Sequence, residues 1–172
     1  MSEKPVKSIL FVCLGNICRS PLAEGVFRAV LAERGLDGQY TIDSAGTGGW
    51  HAGSAPDPRS IAVAAEHGID ITAQQARKVV ARDFERFDLI LGMDRSNVDD
   101  LRALAPSGAV ERVELFLGNA KGGPMDVPDP YYGGEDGFSA VYRMIREASE
   151  ALVDRLDARA SLPFSGQASS TM

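Results

Sequence analysis

A short apolar run that leads through a glycine-containing turn into a helix is the feature that most constrains the fold. Ser8 to Val12 is apolar and contains β-branched residues, as buried strands do. Pro21 to Arg34 repeats apolar residues at helical spacing, and proline suits a first helical turn because its missing N–H removes no hydrogen bond. The segment therefore predicts a strand, a loop and a helix in direct succession.

The rest of the chain repeats this alternation of strands and helices. Further strands are predicted at Tyr40 to Ser44, Leu89 to Gly92 and Val110 to Phe116. Further helices are predicted at Asp57 to His67, Asp94 to Leu104 and Phe138 to Ala160, the last after a long loop from Leu117 to Gly134. Because βαβ crossovers are right-handed, they place helices against a parallel sheet. We expect a single-domain α/β fold, a four-stranded parallel sheet with helices on both faces.

Length and charge limit the organisation and the partners of the chain. A length of 172 residues suits one domain, which we place at residues 7–160, between an extension (1–6) and a disordered tail (161–172). The net charge of −6 argues against binding to nucleic acid or to an anionic membrane. No apolar run near the N-terminus is long enough for a signal peptide or a membrane span. We expect a cytoplasmic protein, and a monomer.

The loop after the first strand carries the residues of a phosphate-binding site. In an open parallel sheet, ligands bind at the carboxyl ends of the strands, where backbone N–H groups and a helix dipole make an anion cradle. Gly15 and Asn16 tolerate the positive φ that a curled loop needs. The cradle and a guanidinium would stabilise Cys13 as a thiolate, the nucleophilic form. Arg19 can offer a planar fork to two phosphate oxygens, and Ser20 can donate a hydrogen bond to the sulfur.

A structural interpretation of the same residues competes with the catalytic one. A cysteine at a strand end is more often a small buried hydrophobe, and an arginine at a helix start is more often solvated. The spacing of Cys13 and Arg19 alone is weak evidence. The segment also satisfies separate conditions, namely a loop glycine, a flanking strand, a following helix and the Ser20-Pro21 pair. Together these conditions favour a catalytic loop.

A proton donor for the leaving group is predicted in the long loop. Asp129 lies between Pro128 and Pro130, which stiffen its support, and Tyr131 and Tyr132 follow and could wall a slot for an aromatic ring. A run of this composition is also typical of an ordinary surface turn. Asp126 is a second candidate acid that the spacing does not exclude.

The two cysteines lie close together in one segment, so they cannot crosslink distant parts of a fold, and reduced thiols are expected. Cys18 has two interpretations. It could pack the loop, or it could trap an oxidised Cys13 as a disulfide. The two histidines have no cysteine or histidine at metal-binding spacing, so a structural metal site is not expected.

Two motifs resemble those of the low-molecular-weight protein tyrosine phosphatases. Their signature is similar to residues 12–21, and their acid loop is similar to Asp129-Pro130-Tyr131. The resemblance implies a flavodoxin-like fold, a phosphocysteine intermediate on Cys13, and no metal or cofactor. It also implies that Asp129 first protonates the leaving group and then activates water. The substrate-binding residues would be Leu14, Gly15, Asn16, Ile17, Cys18, Ser20, Ser44, Trp50, Tyr131 and Tyr132, with Asn16 and Ser44 bracing the loop.

One position departs from that family. Its animal members carry a histidine that supports the loop asparagine, and Gln74 stands at that place in this chain. We therefore expect the brace of Asn16 to be built differently or to be absent.

Three other activities compete with hydrolysis of a phosphotyrosine protein or a small aryl phosphate. Arsenate reduction on this scaffold needs further cysteines, which this sequence lacks beyond Cys18. Relatives that act on phosphoarginine tend to carry threonine at the position of Ile17, so the apolar residue favours an aryl phosphate. A module that only binds phosphotyrosine would need neither Cys13 nor Asp129.

Overall fold

A four-stranded, all-parallel sheet lies at the centre of the protein. The computed structural model describes residues 6–122, 125–130 and 135–168. The strands are β1 (Ser8–Cys13), β2 (Thr41–Gly46), β3 (Leu89–Gly92) and β4 (Val113–Leu115), in the spatial order β2-β1-β3-β4. The predicted α/β class and its parallel sheet are confirmed.

Helices connect the strands and cover the sheet. They are α1 (Arg19–Glu33), α2 (Pro58–Glu66), α3 (Asp83–Arg86), α4 (Arg95–Leu104), a 3₁₀ turn (Val110–Arg112), α5 (Phe116–Lys121) and α6 (Glu135–Ala168). Asp57 begins α2 by accepting a hydrogen bond from the Arg59 N–H at 2.8 Å, and Asp94 begins α4 with a capping box to Asn97. Within the described part of the chain, no helix combines the length and the apolarity that crossing a bilayer requires.

Strand β1 separates two hydrophobic cores. Ile9 and Phe11 point to the side covered by α1, α5 and α6, whereas Leu10 and Val12 point to the side of α3 and α4. All four side chains are fully buried. Alternate residues of a strand face opposite sides of a sheet, so helices on both faces require consecutive apolar residues along β1, as from Ile9 to Val12.

The strand order fixes the position of the site. From β1 the chain crosses to β2 on one side, and it later returns to β3 on the other side of β1. The carboxyl end of β1 is therefore a topological switch point, where the loops on either side separate and leave a crevice. The loop from Cys13 to Ser20 lies at this point.

Three elements between Asp83 and Lys121 differ from the prediction by more than a residue or two at their ends. The strand predicted from Val110 to Phe116 is only β4, because Val110–Arg112 forms a 3₁₀ turn and Phe116 already begins α5. Helix α5 lies in the segment predicted as a loop, and it forms there because Phe116 and Leu117 bury themselves against the core. Helix α3 was not predicted, since four residues are too few to show a helical period.

The last helix is longer than predicted at both ends. It begins at Glu135 instead of Phe138 and continues to Ala168, into the segment expected to be disordered from residue 161. Small and polar residues do not by themselves end a helix, since each added residue gains a hydrogen bond without a new nucleation step. Residues 169–172 lie outside the described residues, and the predicted domain boundaries stay a prediction.

The aromatic contacts of Phe11 make this residue a suitable site at which to test how much the larger core contributes to stability. Its ring centroid lies 5.4 Å from that of Phe27 and 5.2 Å from that of Phe116. Phe11→Ala should lower the free energy of unfolding by about 3–5 kcal/mol, measured by urea denaturation, because it opens a cavity between α1, α5 and the sheet. Leu104→Ala, a control at a side chain 51% exposed, should change it by less than about 0.5 kcal/mol. Equal effects would show that this cluster does not stabilise the fold.

Candidate active site

The loop between β1 and α1 curls around the Cys13 sulfur. The Asn16 N–H donates to Sγ at 3.3 Å, and the Ser20 N–H lies at 3.5 Å. Asn16 has φ 58°, and it is the one non-glycine residue with positive φ in the described part of the chain. The same expectation for Gly15 was wrong, because its φ is not positive. Space at Gly15 is limited instead, since a Cβ there would lie 3.0 Å from Cδ2 of His51 and the imidazole would have to shift.

Arg19 is held beneath this loop by two acceptors. Its side chain is only 3% exposed. Nη1 donates to Asp94 Oδ2 at 2.7 Å and to the Val127 carbonyl oxygen at 2.9 Å. Asp94 also begins α4, so the carboxylate that orients the guanidinium is itself fixed by a helix. The plane of the arginine fork is therefore set by β3, by α4 and by the loop that carries Asp129.

The two candidate acids occupy different surroundings. Asp129 lines the cavity, with Oδ2 3.7 Å from Arg19 Nη2 and its side chain 45% exposed. Asp126 pairs with Arg95, which approaches Oδ2 with Nη2 at 3.3 Å and Oδ1 with its backbone N–H at 3.1 Å. Asp129 is thus the one of the two that lies beside the phosphate-binding residues.

A cavity of about 240 Å³ opens above the loop. It is lined by Cys13, Leu14, Gly15, Ile17, Cys18, Arg19, Trp50, His51 and Asp129. Trp50 is 71% exposed and stands at the mouth. The sequence predicted all of these except His51, whose one signal is its place after Trp50 in the glycine-rich loop. The predicted Tyr131 and Tyr132 lie outside the described residues.

Three residues predicted to bind substrate, Asn16, Ser20 and Ser44, do not line this cavity. Their side chains lie behind the loop, where Asn16 Nδ2 donates to Ser20 Oγ at 2.8 Å and to Ser44 Oγ at 3.1 Å. The Ser20 Oγ is 3.0 Å from the Cys13 Sγ. Ser44 in turn donates to Glu24 Oε1 at 2.7 Å. These side chains form the brace that the resemblance implied for Asn16 and Ser44, and Glu24 is a member that sequence analysis missed.

Gln74 does not contribute to this brace through Asn16. Its Nε2 donates to the Pro21 carbonyl oxygen at 3.0 Å. The Asn16 Oδ1 accepts from the backbone N–H of Arg77 at 3.0 Å. The brace is therefore present but built differently, from Arg77, Ser44 and Glu24.

Cys18 and Cys13 both line the cavity, but the surroundings of the two thiols differ. Burial, reinforced by the nearby Asp57 carboxylate, raises the pKa of the Cys18 thiol to about 12. The pKa of Asp57 is held below its usual range chiefly by hydrogen bonds from Arg59. At neutral pH Cys18 is therefore a neutral thiol, which is a poor nucleophile. The hypothesis that it traps an oxidised Cys13 stays a prediction.

A family model for low molecular weight phosphotyrosine protein phosphatases matches residues 8–162. The chain belongs to this family. The relative from Schizosaccharomyces pombe, named as a low molecular weight phosphotyrosine protein phosphatase, is 47% identical over 83% of this chain and 92% of its own length. The pig protein of the same name is 39% identical over 91% of this chain and 99% of its own.

Solved structures agree with the family assignment. A protein tyrosine phosphatase from Entamoeba histolytica aligns with a TM-score of 0.84 at 37% identity, covering 90% of this chain and 99% of that one. YfkJ from Bacillus subtilis aligns with a TM-score of 0.82 at 36% identity, covering 92% and 99%. The predicted family and its flavodoxin-like fold are confirmed, and the chain is a phosphatase of the cysteine-dependent tyrosine class.

Gly46 determines how closely the phosphate-binding loop can approach β2. A Cβ at this residue would lie 2.7 Å from the Leu14 carbonyl oxygen and 3.1 Å from the Asn16 nitrogen, both backbone atoms. Gly46→Ala should therefore displace the loop and lower kcat/KM on an aryl phosphate by about tenfold or more, measured by steady-state kinetics. Gly38→Ala, where a Cβ meets nothing within 4 Å, is the control and should keep full activity. Normal activity of Gly46→Ala would mean that the loop can shift without loss.

Proposed function

We propose that this phosphatase hydrolyses phosphotyrosine in proteins, or a small aryl phosphate, through a phosphocysteine intermediate on Cys13. One observation carries the proposal: Cys13, Arg19 and Asp129 line a single cavity at the carboxyl end of β1. A nucleophile, a planar phosphate-binding cation and a carboxyl group are the three parts that the reaction requires.

In the first step the Cys13 thiolate attacks phosphorus, so that an S–P bond forms and the bond to the phenolic oxygen breaks. Arg19 holds two of the phosphate oxygens as charge redistributes in the transition state. Asp129, protonated at this stage, gives its proton to the departing oxygen, and tyrosine leaves as a neutral phenol. Helix α1 begins at Arg19 and adds the positive end of its dipole to the phosphate site.

In the second step water attacks the phosphocysteine. Asp129, now ionised, accepts a proton from that water, while the S–P bond breaks and Cys13 departs as a thiolate. Inorganic phosphate is released. The Ser20 hydroxyl, 3.0 Å from Sγ, supports this step by stabilising the leaving sulfur.

The mouth of the cavity favours an aryl group. Leu14 is 44% exposed, and it stands with Trp50 and Ile17 around the opening, which suits the ring of phosphotyrosine. We further propose that the protein acts in the cytoplasm as a monomer. Two reduced cysteines and a cavity lined within one chain support this assignment.

Replacement of the nucleophile tests the proposal directly. Cys13→Ser should abolish turnover of phosphotyrosine, because a hydroxyl does not ionise near neutral pH, whereas phosphate should still bind, since the N–H groups and Arg19 remain. Turnover is measured by phosphate release and binding by calorimetry. Substantial residual turnover would show that Cys13 is not the nucleophile.

The substrate class is tested on the unaltered protein. Its rates on phosphoserine, phosphoarginine and arsenate should be far lower than its rate on phosphotyrosine, and a preference for any of the three would overturn the proposed substrate class.

The acid is tested through the dependence of rate on the leaving group. Asp129→Asn should lower kcat/KM by about 10²–10⁴-fold for an aryl phosphate whose phenol is weakly acidic, and much less for one whose phenol is strongly acidic. A strongly acidic phenol leaves without a proton, which is the reason for the difference. Asp126→Asn is the matched control and should show no such dependence. If the dependence appears in Asp126→Asn instead, the acid has been misassigned.

A further inference from the structure

The loop that follows β2 contributes to the cavity a polar side chain that the proposed reaction does not use. Of the described residues that line the cavity, Cys13, Arg19 and Asp129 take part in the proposed chemistry, whereas His51 has no role in it. The His51 side chain is half-buried, and a Cβ at Gly15 would lie 3.0 Å from its Cδ2 and 3.8 Å from its Nε2. An imidazole carries at least one N–H whether or not it is protonated, so His51 can donate a hydrogen bond.

A lysine side chain lies along the same loop. Lys78 forms a β-bridge with Gly46, and its Cδ would be 3.5 Å from a Cβ at Gly49, so its aliphatic stem follows the backbone just before Trp50. The side chain is exposed, and it forms no ion pair with any carboxylate in the described part of the chain. His51 and Lys78 together form the basic rim of the opening.

Backbone hydrogen bonds hold the basic rim in place beside the phosphate-binding loop. The Gly48 N–H donates to the Leu14 carbonyl oxygen at 2.9 Å, on the side of the nucleophile. On the other side, the Gly53 N–H donates at 2.7 Å to the carbonyl oxygen of Ala76, two residues before Lys78. The backbone that carries both side chains is therefore fixed relative to the cavity.

Two other arginines near the opening are already paired with carboxylates. Arg95 Nη2 lies 3.3 Å from Asp126 Oδ2, and Arg59 Nη2 lies 3.0 Å from Asp57 Oδ2. Asp129 is the one carboxylate among the described residues that line the cavity, and it lies beside Arg19. The basic rim thus differs from these cations, because no carboxylate of the described residues neutralises it.

The position of the basic rim suits the residues next to phosphotyrosine in a peptide. An extended peptide advances about 3.3 Å per residue, so side chains one to three positions from a phosphotyrosine in the cavity reach its rim. A glutamate or aspartate there would meet the Lys78 ammonium and the His51 imidazole. The net charge of the whole chain, −6, would by itself repel such a peptide, so attraction requires a local group of cations.

We propose that His51 and Lys78 form a docking site for acidic residues that flank phosphotyrosine, so that the phosphatase selects acidic phosphopeptides. The inference rests on the proposed function, because it specifies which phosphotyrosine peptides the same cavity accepts. Lys78 supplies a full positive charge at the outer edge, and His51 supplies a hydrogen-bond donor next to the cavity. Neither residue takes part in the transfer of the phosphoryl group.

Matched peptides measure this selectivity. Two phosphotyrosine peptides differ only in carrying glutamate or glutamine at the positions that flank the phosphotyrosine. The unaltered protein should hydrolyse the glutamate peptide with a kcat/KM about two- to tenfold higher at low ionic strength, mainly through a lower KM. The ratio should fall towards one in about 1 M salt, because salt screens exposed charges. Equal rates at low salt, or the slower hydrolysis of the glutamate peptide that the net charge alone favours, would overturn the proposal.

Substitution of the lysine assigns the selectivity to the basic rim. Lys78→Gln should lower the ratio of the two kcat/KM values by about two- to fivefold. It should leave hydrolysis of a small aryl phosphate unchanged, because that substrate has no flanking residues, and this rate also shows that the variant is folded. Lys7→Gln is the matched control, since it removes the same charge just before β1, at the end of the strand opposite the cavity. It should keep the ratio of the unaltered protein.

Two further variants sharpen the test. Lys78→Glu should reverse the selectivity, so that a peptide with flanking lysines becomes a better substrate than the glutamate peptide. His51→Ala should lower the glutamate-to-glutamine ratio as well, and in combination with Lys78→Gln the ratio should fall to about one. A ratio that stays unchanged in Lys78→Gln and Lys78→Glu would overturn the docking site. Turnover that survives Cys13→Ser, or a failure of the unaltered protein to hydrolyse either peptide, would instead overturn the proposed function.

Discussion

The negative charge required on a buried sulfur is the constraint on which the rest of the site depends. Cys13 lies at the end of a strand that is buried on both faces, where an unpaired charge would be strongly unfavourable. The loop offsets this through the N–H groups of Asn16 and Ser20 and the hydroxyl of Ser20. That geometry needs Asn16 in the left-handed region and a glycine at residue 46, because the loop touches the backbone of β2. The contacts that surround this sulfur therefore also join the end of β1 to the start of α1 and to the backbone of β2.

Arg19 extends this organisation to the opposite side of the crevice. Its Nη1 binds Asp94, which follows β3, and the Val127 carbonyl oxygen, which precedes Asp129. The Val127 N–H donates to the Met93 carbonyl oxygen at 2.8 Å, so the acid loop is joined to the end of β3 by backbone as well. Phosphate binding and placement of the proposed acid are consequently parts of one arrangement, since the guanidinium proposed to hold the substrate also holds the loop that carries Asp129.

The features that sequence analysis predicted are those encoded locally. A strand, a loop glycine and a helix start occur in succession around Cys13, and the prolines around Asp129 mark its loop. The errors arise where contacts between residues far apart in the sequence determine the local structure. The space at Gly15 is limited by His51 from another loop, and α5 forms because Phe116 and Leu117 pack against the core. Glu24 was missed for the same reason. In the sequence it is one charged residue of an amphipathic helix, and only the approach of β2 brings Ser44 against it.

The burial of Glu24 is itself evidence about what the brace does. A buried carboxyl group is costly unless its oxygens are hydrogen-bonded, and burial raises the pKa of Glu24. Its partner Arg28 lies one turn further along α1 and keeps its side chain 53% exposed, which lets the stem lie on the helix while the charge stays hydrated at one edge. The two oxygens of Glu24 thus each accept a hydrogen bond, Oε1 from Ser44 and Oε2 from Arg28. A neutral apolar pair would fill the same space but would leave the buried Ser44 hydroxyl without the acceptor that it has in this structure.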